Sequence, residues 1–242
     1  MVITKKKVYI WVLIIAALFV MPLDAAYADE GNHVLQAYIT EQTMAVFTDI
    51  ELHSDEIRCA ISNQSAEITS SGLLSDESVL IKTTVLVDVS TSMPGSMRDE
   101  VITALRSLIE HKSKNEEFKL IVFGDEMNTL HDFSSDRYDL ANAAEKIKFD
   151  GEQSKIYDAI YNTILRISLS DKKLTFYRTI VITDGVDDTV SGITKEELFI
   201  KLQNERYPVD VIAVSGNEGE ENKELSAIVR MSGGRYYSLI PG

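Results

Sequence analysis

The 242-residue chain is long enough for one medium domain with a small appendage and too short for two full-sized domains. Its 45% hydrophobic and 26% charged composition, with 12 Gly and 4 Pro, excludes fibrous, low-complexity and wholly disordered classes. Thirty-eight acidic against 24 basic residues give a formal net charge of -14, a field that repels phosphate backbones, so nucleic acid is not an expected partner. A single cysteine, Cys59, and four scattered histidines, His33, His53, His111 and His131, offer neither an internal disulfide nor the ligand spacing of a zinc cluster.

The N-terminus reads as an export signal spanning residues 1–28: basic Lys5-Lys6-Lys7, an apolar run from Val8 to Met21, and Ala26-Tyr27-Ala28 with small residues at the recognition positions. The run falls short of the roughly 20 residues a spanning helix needs, and Pro22 and Asp24 interrupt it. An uncleaved membrane anchor is the alternative, because tilt and local thinning accommodate some mismatch. The expected location is secreted, extracellular or at the cell surface. The membrane enters only if the signal is uncleaved or through a partner. The leader carries three lysines and one aspartate, so its removal moves the net charge from -14 to -16.

Residues 29–78 form a small β-rich region. The runs VLQAYIT, MAVFTDIEL, IRCAI and AEIT, separated by polar clusters, predict short antiparallel strands that cannot be stable alone. Cys59, within IRCAI, reads as a buried core thiol.

From residue 79 to 242 the pattern changes. Apolar runs alternate with amphipathic stretches: SVLIKTTVLVDVS, a helix near 95–112, FKLIVFG, a short MNTLHDF strand, helices near 136–148 and 156–168, FYRTIVITDG, a helix near 194–204, VDVIAVSG, a helix near 221–231, and RYYSLI. This predicts an α/β fold, doubly wound, with a mostly parallel sheet covered by helices on both faces. In the first helix Met97, Val101, Leu105, Leu108 and Ile109 make a buried stripe, with Arg98, Glu110 and Lys112 on solvated faces. Tyr236 and Tyr237 alternate in the last strand, which predicts one core and one surface residue.

Ligands of such sheets bind beyond the carboxyl ends of the strands. There stand Asp88-Val89-Ser90-Thr91-Ser92 after VLV, Asp184-Gly185 after TIVIT, and Ser154 at the start of the helix after Gly151. Two carboxylates and three hydroxyls, without sulfur or imidazole, suit Mg²⁺ or Mn²⁺ and suit zinc or copper poorly. Water or a partner's carboxylate would fill the remaining positions. Asp187 and Asp188 read as solvated loop acids, Asp158 as a helix-dipole partner, and Glu218, Glu220 and Glu221 as the first turn of a surface helix.

The residues VLVDVSTSM, GEQSKIYDAI and IVITDG resemble the von Willebrand factor A (vWA) domain with its metal-ion-dependent adhesion site (MIDAS). The resemblance covers about residues 80–240. It aligns Asp88, Ser90 and Ser92 with the D-x-S-x-S element, Asp184 with the aspartate after the fourth strand, and Ser154 with a position where the family usually has threonine. Serine keeps the hydroxyl donor and loses the methyl that restricts its rotamer. The resemblance implies a non-enzymatic, metal-dependent protein-binding or adhesion module, whose ion is completed by an acidic residue of a protein ligand. Two alternatives stand beside it: a metal-dependent hydrolase or phosphotransferase using Asp88 as nucleophile, and a structural subunit of a surface assembly. Family members usually follow the last strand with a long helix, and this chain closes on Ile240-Pro241-Gly242.

Overall fold

The computed structural model describes residues 9–14, 34–39, 43–49, 60–61, 64–65, 67–76, 78–165, 174–185, 192–214 and 220–239. Cys59, Asp187, Asp188 and Glu218 lie outside the described residues, as do the side chains of Glu220 and Glu221. Among the described residues no helix is long and apolar enough to cross a membrane.

The main sheet has six strands: β7 (Val79–Asp88), β8 (Glu116–Phe123), β9 (Met127–Ser134), β10 (Leu174–Thr183), β11 (Val209–Ala213) and β12 (Tyr236–Ser238). Their order is β12-β11-β10-β7-β8-β9, all parallel except β9, which folds back on β8 through the tight Gly124–Glu126 connection. Among the described residues five α-helices cover it: α1 (Arg98–Glu110), α2 (Arg137–Ala144), α3 (Ile156–Leu165), α4 (Lys195–Glu205) and α5 (Glu220–Ser232).

The run Val85-Leu86-Val87 is fully buried because its two faces serve two cores. Leu86 joins residues of α3, α4 and α5 such as Ile160, Leu198 and Ile228. Val85 and Val87 join Val101, Leu105 and Ile109 of α1 and Leu140 of α2. Each such side chain contributes about 1.5–3 kcal/mol of burial. This is the layered α/β architecture that the alternating pattern predicts.

Helix ends follow local chemistry. Asp136 caps α2 by accepting from the backbone N–H groups of Tyr138 and Asp139, and Thr194 and Glu197 form a reciprocal capping box at α4. Two expectations fail, the first because both sides of this sheet are covered and the second because Lys112 lies past the end of α1 and folds onto the start of β8. Tyr236 packs on the α3–α5 core and Tyr237 on the α1–α2 core, so both are half-buried instead of one facing solvent. Lys112 is buried, and its ammonium donates to the Glu116 carbonyl at 2.9 Å. Burial lowers its pKa.

Lower in the sheet, Glu116 is enclosed by cationic and hydroxyl donors. Arg178 donates to Glu116 Oε1 at 2.7 Å and to Thr83 Oγ1 at 3.0 Å, while Thr83 donates to the same carboxylate. Asp210 lies 3.8 Å from the other side of the guanidinium. Burial alone would raise the Glu116 pKa, but the Arg178 charge and these hydrogen bonds outweigh it and hold it below the usual range.

A second, antiparallel sheet of order β2-β3-β1-β6 contains β1 (Tyr9–Ile14), β2 (Val34–Ile39), β3 (Thr43–Thr48) and β6 (Glu67–Leu73). A two-residue pair, β4 (Ala60–Ile61) with β5 (Gln64–Ser65), precedes β6. Phe47 packs on Phe176 with ring centroids 5.1 Å apart, and Leu35, Ala45, Val79 and Ile81 complete that cluster. The Gln36 amide makes two hydrogen bonds to the Tyr177 backbone, at 3.0 and 3.3 Å, tying the small sheet to β10. β1 comes from the apolar run that the sequence assigns to the leader.

Candidate metal centre

β7 and β10 are neighbours at the point where the winding reverses. The connection from β7 leads through α1 to β8 on one side, while β10 and β11 lie on the other. Such a switch point leaves a crevice beyond the strand ends. Asp88 ends β7. In the parallel register Ile182 lies beside Val87, so Thr183 comes beside Asp88 and Asp184 follows it.

The loop after β7 is held on both sides. Val89 N donates to Phe123 O at 2.9 Å, Gly151 N donates to Val89 O at 3.0 Å, and Thr91 N donates to Gly151 O at 2.7 Å. Glycine suits this approach at 151, since a Cβ there would stand 3.3 Å from both the Gly124 Cα and the Val89 carbonyl oxygen, tight enough to push that backbone by a few tenths of an ångström. Asp125, in the β8–β9 turn, fixes the following segment by accepting from Glu152 N at 2.9 Å and Gln153 N at 3.1 Å. That fastening delivers Ser154 to the centre.

Asp88 is fully buried. Its Oδ1 accepts from Ser90 N at 2.9 Å, and its Oδ2 accepts from the hydroxyls of Ser154 at 2.7 Å and Thr183 at 2.8 Å. Burial still pushes its pKa above the usual carboxylate value, against these bonds. Ser90 is buried and shares a 2.8 Å hydroxyl contact with Ser92, which is exposed at the mouth. Asp184 is buried, and its Oδ1 has no hydrogen-bond partner.

Of the five residues expected to meet, Asp88, Ser90, Ser92 and Ser154 are joined by direct hydrogen bonds, and Asp184 directly follows the adjoining strand. Thr183 belongs with them and escapes a reading of sequence. It donates to Asp88, and its hydroxyl accepts from Gly185 N at 3.1 Å. The signal for it is the β7–β10 register, which is available only once those strands are known to be neighbours. Asp158 instead accepts from Ile193 N at 3.2 Å, bracing the segment before α4.

The donor set fits a hard divalent cation. It offers an orphaned buried carboxylate oxygen, a second carboxylate whose charge is disfavoured by burial, and hydroxyls with free lone pairs. Among the described residues no group of three His, Cys, Asp or Glu side chains could hold a metal, so any ion here would rest on two carboxylates and hydroxyls.

Residues 83–186, which run from within β7 past Asp184, match the family model of the von Willebrand factor type A domain. The chain contains a vWA domain. Solved structures similar to it include an aerotolerance-related membrane protein from Bacteroides fragilis, at TM-score 0.54 and 16% identity over 66% of this chain and 92% of that one. The conserved hypothetical protein BatB from Bacteroides thetaiotaomicron matches at TM-score 0.54 and 17% identity, over 67% and 91%. Proximal thread matrix protein 1 from the mussel byssus, with a zinc-occupied MIDAS motif, matches at TM-score 0.54 and 17% identity, over 67% and 42%. At such identities the likeness is one of fold. A search among curated proteins finds no match. vWA domains hold a divalent metal at this place, and one protein of this fold holds zinc there, so donor hardness alone does not select magnesium over zinc.

Proposed function

We propose that the chain is an exported or surface-displayed protein-binding module whose vWA domain grips a divalent cation, Mg²⁺ or Mn²⁺ by donor preference, and that a carboxylate from a protein ligand completes the coordination. Asp88, Ser90, Ser92, Ser154 and Asp184 would hold the ion, and Thr183 would orient Asp88. When bound, the ion supplies a positive charge for an acidic side chain of the partner. The observation that carries this reading is the orphaned Asp184 Oδ1 beside a buried Asp88, at a rim opened by the exposed Ser92.

Burial of Asp88 also weighs against the rival phosphotransferase reading. A nucleophilic carboxylate must meet its substrate, and this one is fully enclosed, with Ser154 and Thr183 bonded to one oxygen and Ser90 N to the other. A cleft of about 400 Å³ beside the loops is lined by Val89, Asp125, Lys146, Lys148, Asp150 and Gly151, giving a partner a surface of both charge signs next to the centre. Export rests on the leader pattern of residues 1–28. The test is capture of surface proteins from the producing cells by the chain in Mg²⁺, Mn²⁺ or Zn²⁺ and in chelator. Cation-dependent capture that Asp184→Ala abolishes is expected, and capture indifferent to chelator overturns the reading.

A further inference from the structure

Helices α3, α4 and α5 all begin at the carboxyl ends of the main-sheet strands, because α3 leads into β10 while α4 and α5 follow the parallel strands β10 and β11. Their positive dipole ends gather at the end of the sheet that carries Asp88 and Asp184. One carboxylate joins the three. Glu224, near the start of α5, accepts from the hydroxyl of Tyr157, the second residue of α3, at 2.5 Å. It also accepts from the ammonium of Lys195, the first residue of α4, at 2.6 Å. The Lys195 ammonium and, after it, the Tyr157 hydroxyl hold the Glu224 carboxyl below its usual range. Both donors are themselves braced. The Tyr157 ring packs against the α3–α5 core, and the Lys195 ammonium stands 5.7 Å from the centre of the Phe199 ring.

The two helix starts that Glu224 ties together are those on which the cation centre depends. Ser154, whose hydroxyl donates to Asp88 Oδ2 at 2.7 Å, lies three residues before Tyr157. Asp125 fastens its upstream side through Glu152 N and Gln153 N, and Tyr157 fastens its downstream side through Glu224. The chain that leaves the centre at Asp184 arrives at α4 through Ile193, whose N–H donates to Asp158 of α3 at 3.2 Å. Lys195 follows two residues later and meets Glu224. Contacts of α3 with α4 and α5 thus connect the Ser154 side of the centre to the Asp184 side.

Lys195 and Glu224 are each more than a third exposed, so their ion pair adds little to global stability. Its leverage is geometric, because groups behind a metal ligand fix the direction in which that ligand points. We infer that Glu224 is a positioning residue for the cation: by tying the start of α3 to the start of α4, it holds Ser154 and Asp184 at the separation the ion requires. The inference rests on the cation reading above and adds to it a residue that touches none of the expected ligands.

The test compares the full chain with four variants. Glu224→Gln keeps the size of the side chain and removes its charge, Tyr157→Phe removes the donor hydroxyl, and a third variant combines the two. Lys201→Gln breaks the Lys201–Glu205 pair within α4 and serves as the comparison. Calorimetric titration with Mg²⁺, Mn²⁺ and Zn²⁺ is expected to show affinity about tenfold weaker in Glu224→Gln and in Tyr157→Phe, and unchanged in Lys201→Gln. The double variant should bind no more weakly than Glu224→Gln alone, since both changes remove the same contact. In chelator all four should melt within about 2–4 °C of the parent. Parental affinity in Glu224→Gln, or an equal loss in Lys201→Gln, overturns the inference. If Glu224→Gln melts far lower, Tyr157→Phe decides by the same comparison. A parent that binds none of the three ions overturns the cation reading by itself. Amide exchange in chelator then decides whether Glu224 ties the helix starts: the Gln153, Ala159 and Ile193 N–H groups should exchange severalfold faster in Glu224→Gln than in the parent, and unchanged rates overturn the tie.

Discussion

Asp88→Asn keeps the shape of the side chain and removes its charge. In the fold the carboxylate accepts from Ser90 N, Ser154 Oγ and Thr183 Oγ1 at 2.7–2.9 Å. Burial nevertheless raises its pKa. For a carboxyl with a raised folded pKa, the stability it contributes is present below the unfolded value of 3.8 and is lost as pH rises through the folded pKa. At neutral pH the ionised group therefore burdens the cation-free fold. An amide oxygen cannot accept from all three donors, and one lost hydrogen bond costs about 0.5–1.5 kcal/mol. Relief of charge and loss of that bond largely offset, so in chelator the variant should melt within about 2–4 °C of the parent, the equivalent of about 1 kcal/mol at this size. With cation at about a hundredfold excess over Kd, the parent gains about 2.7 kcal/mol, or roughly 5–10 °C, and the variant gains almost nothing. Thermal denaturation in chelator and in Mg²⁺, Mn²⁺ and Zn²⁺ measures both differences. A cation shift of equal size in the two proteins would refute the reasoning, and so would a variant several kcal/mol less stable than the parent in chelator.

Thr183→Val, nearly isosteric, should weaken cation binding without abolishing it and cost about 1–3 kcal/mol, because Gly185 N loses its acceptor and Asp88 a donor. Calorimetric titration and chemical denaturation separate the two effects. Gly151→Ala should cost about 1–3 kcal/mol and loosen the cation site, since the added methyl meets backbone of Gly124 and Val89 that cannot swing away. Equal metal affinity in that variant and its parent would show that the loop clamp does not position the site. Glu116, whose folded pKa is depressed, contributes stability above its unfolded value of 4.5 that is lost as pH falls through the folded pKa. Glu116→Gln should therefore cost about 2–3 kcal/mol near neutrality, below the usual range for a broken buried pair because Arg178 is a third exposed. It should also flatten the acid limb of the stability profile followed by denaturant midpoints.

The alternation of apolar and amphipathic runs made the main domain legible, because strands buried on both faces and helices buried on one leave different periods in sequence. Asp88, Ser90, Ser92, Ser154 and Asp184 were legible for a related reason: each stands where a predicted strand or turn gives way to the next element. Thr183 was not. It occupies the last strand position, where a threonine reads as ordinary β structure, and its role depends on which strand lies alongside. Lys112 and the Tyr236-Tyr237 pair show the same limit, since sequence periodicity reports how much of an element is covered but not by what. The leader pattern describes a targeting signal and is blind to strand pairing, so nothing in it foretold that Tyr9–Ile14 could complete a sheet.

The neighbouring strands β7 and β8 each enclose an acidic group, in different company. Glu116 has a cation built into the chain, Arg178, which accompanies it in any medium. Among the described residues Asp88 and Asp184 have no such ion pair, and on the proposed reading a bound cation would supply the counter-charge. One end of the domain is thus electrically self-sufficient, and the other, on that reading, would draw its balance from the surroundings. On the proposed reading, the rigidity of the rim would follow the free concentration of divalent ions around the protein, while the floor of the sheet would be indifferent to it. Were the protein displayed as proposed, ionic supply would be an input to recognition, without any moving part beyond the ion itself.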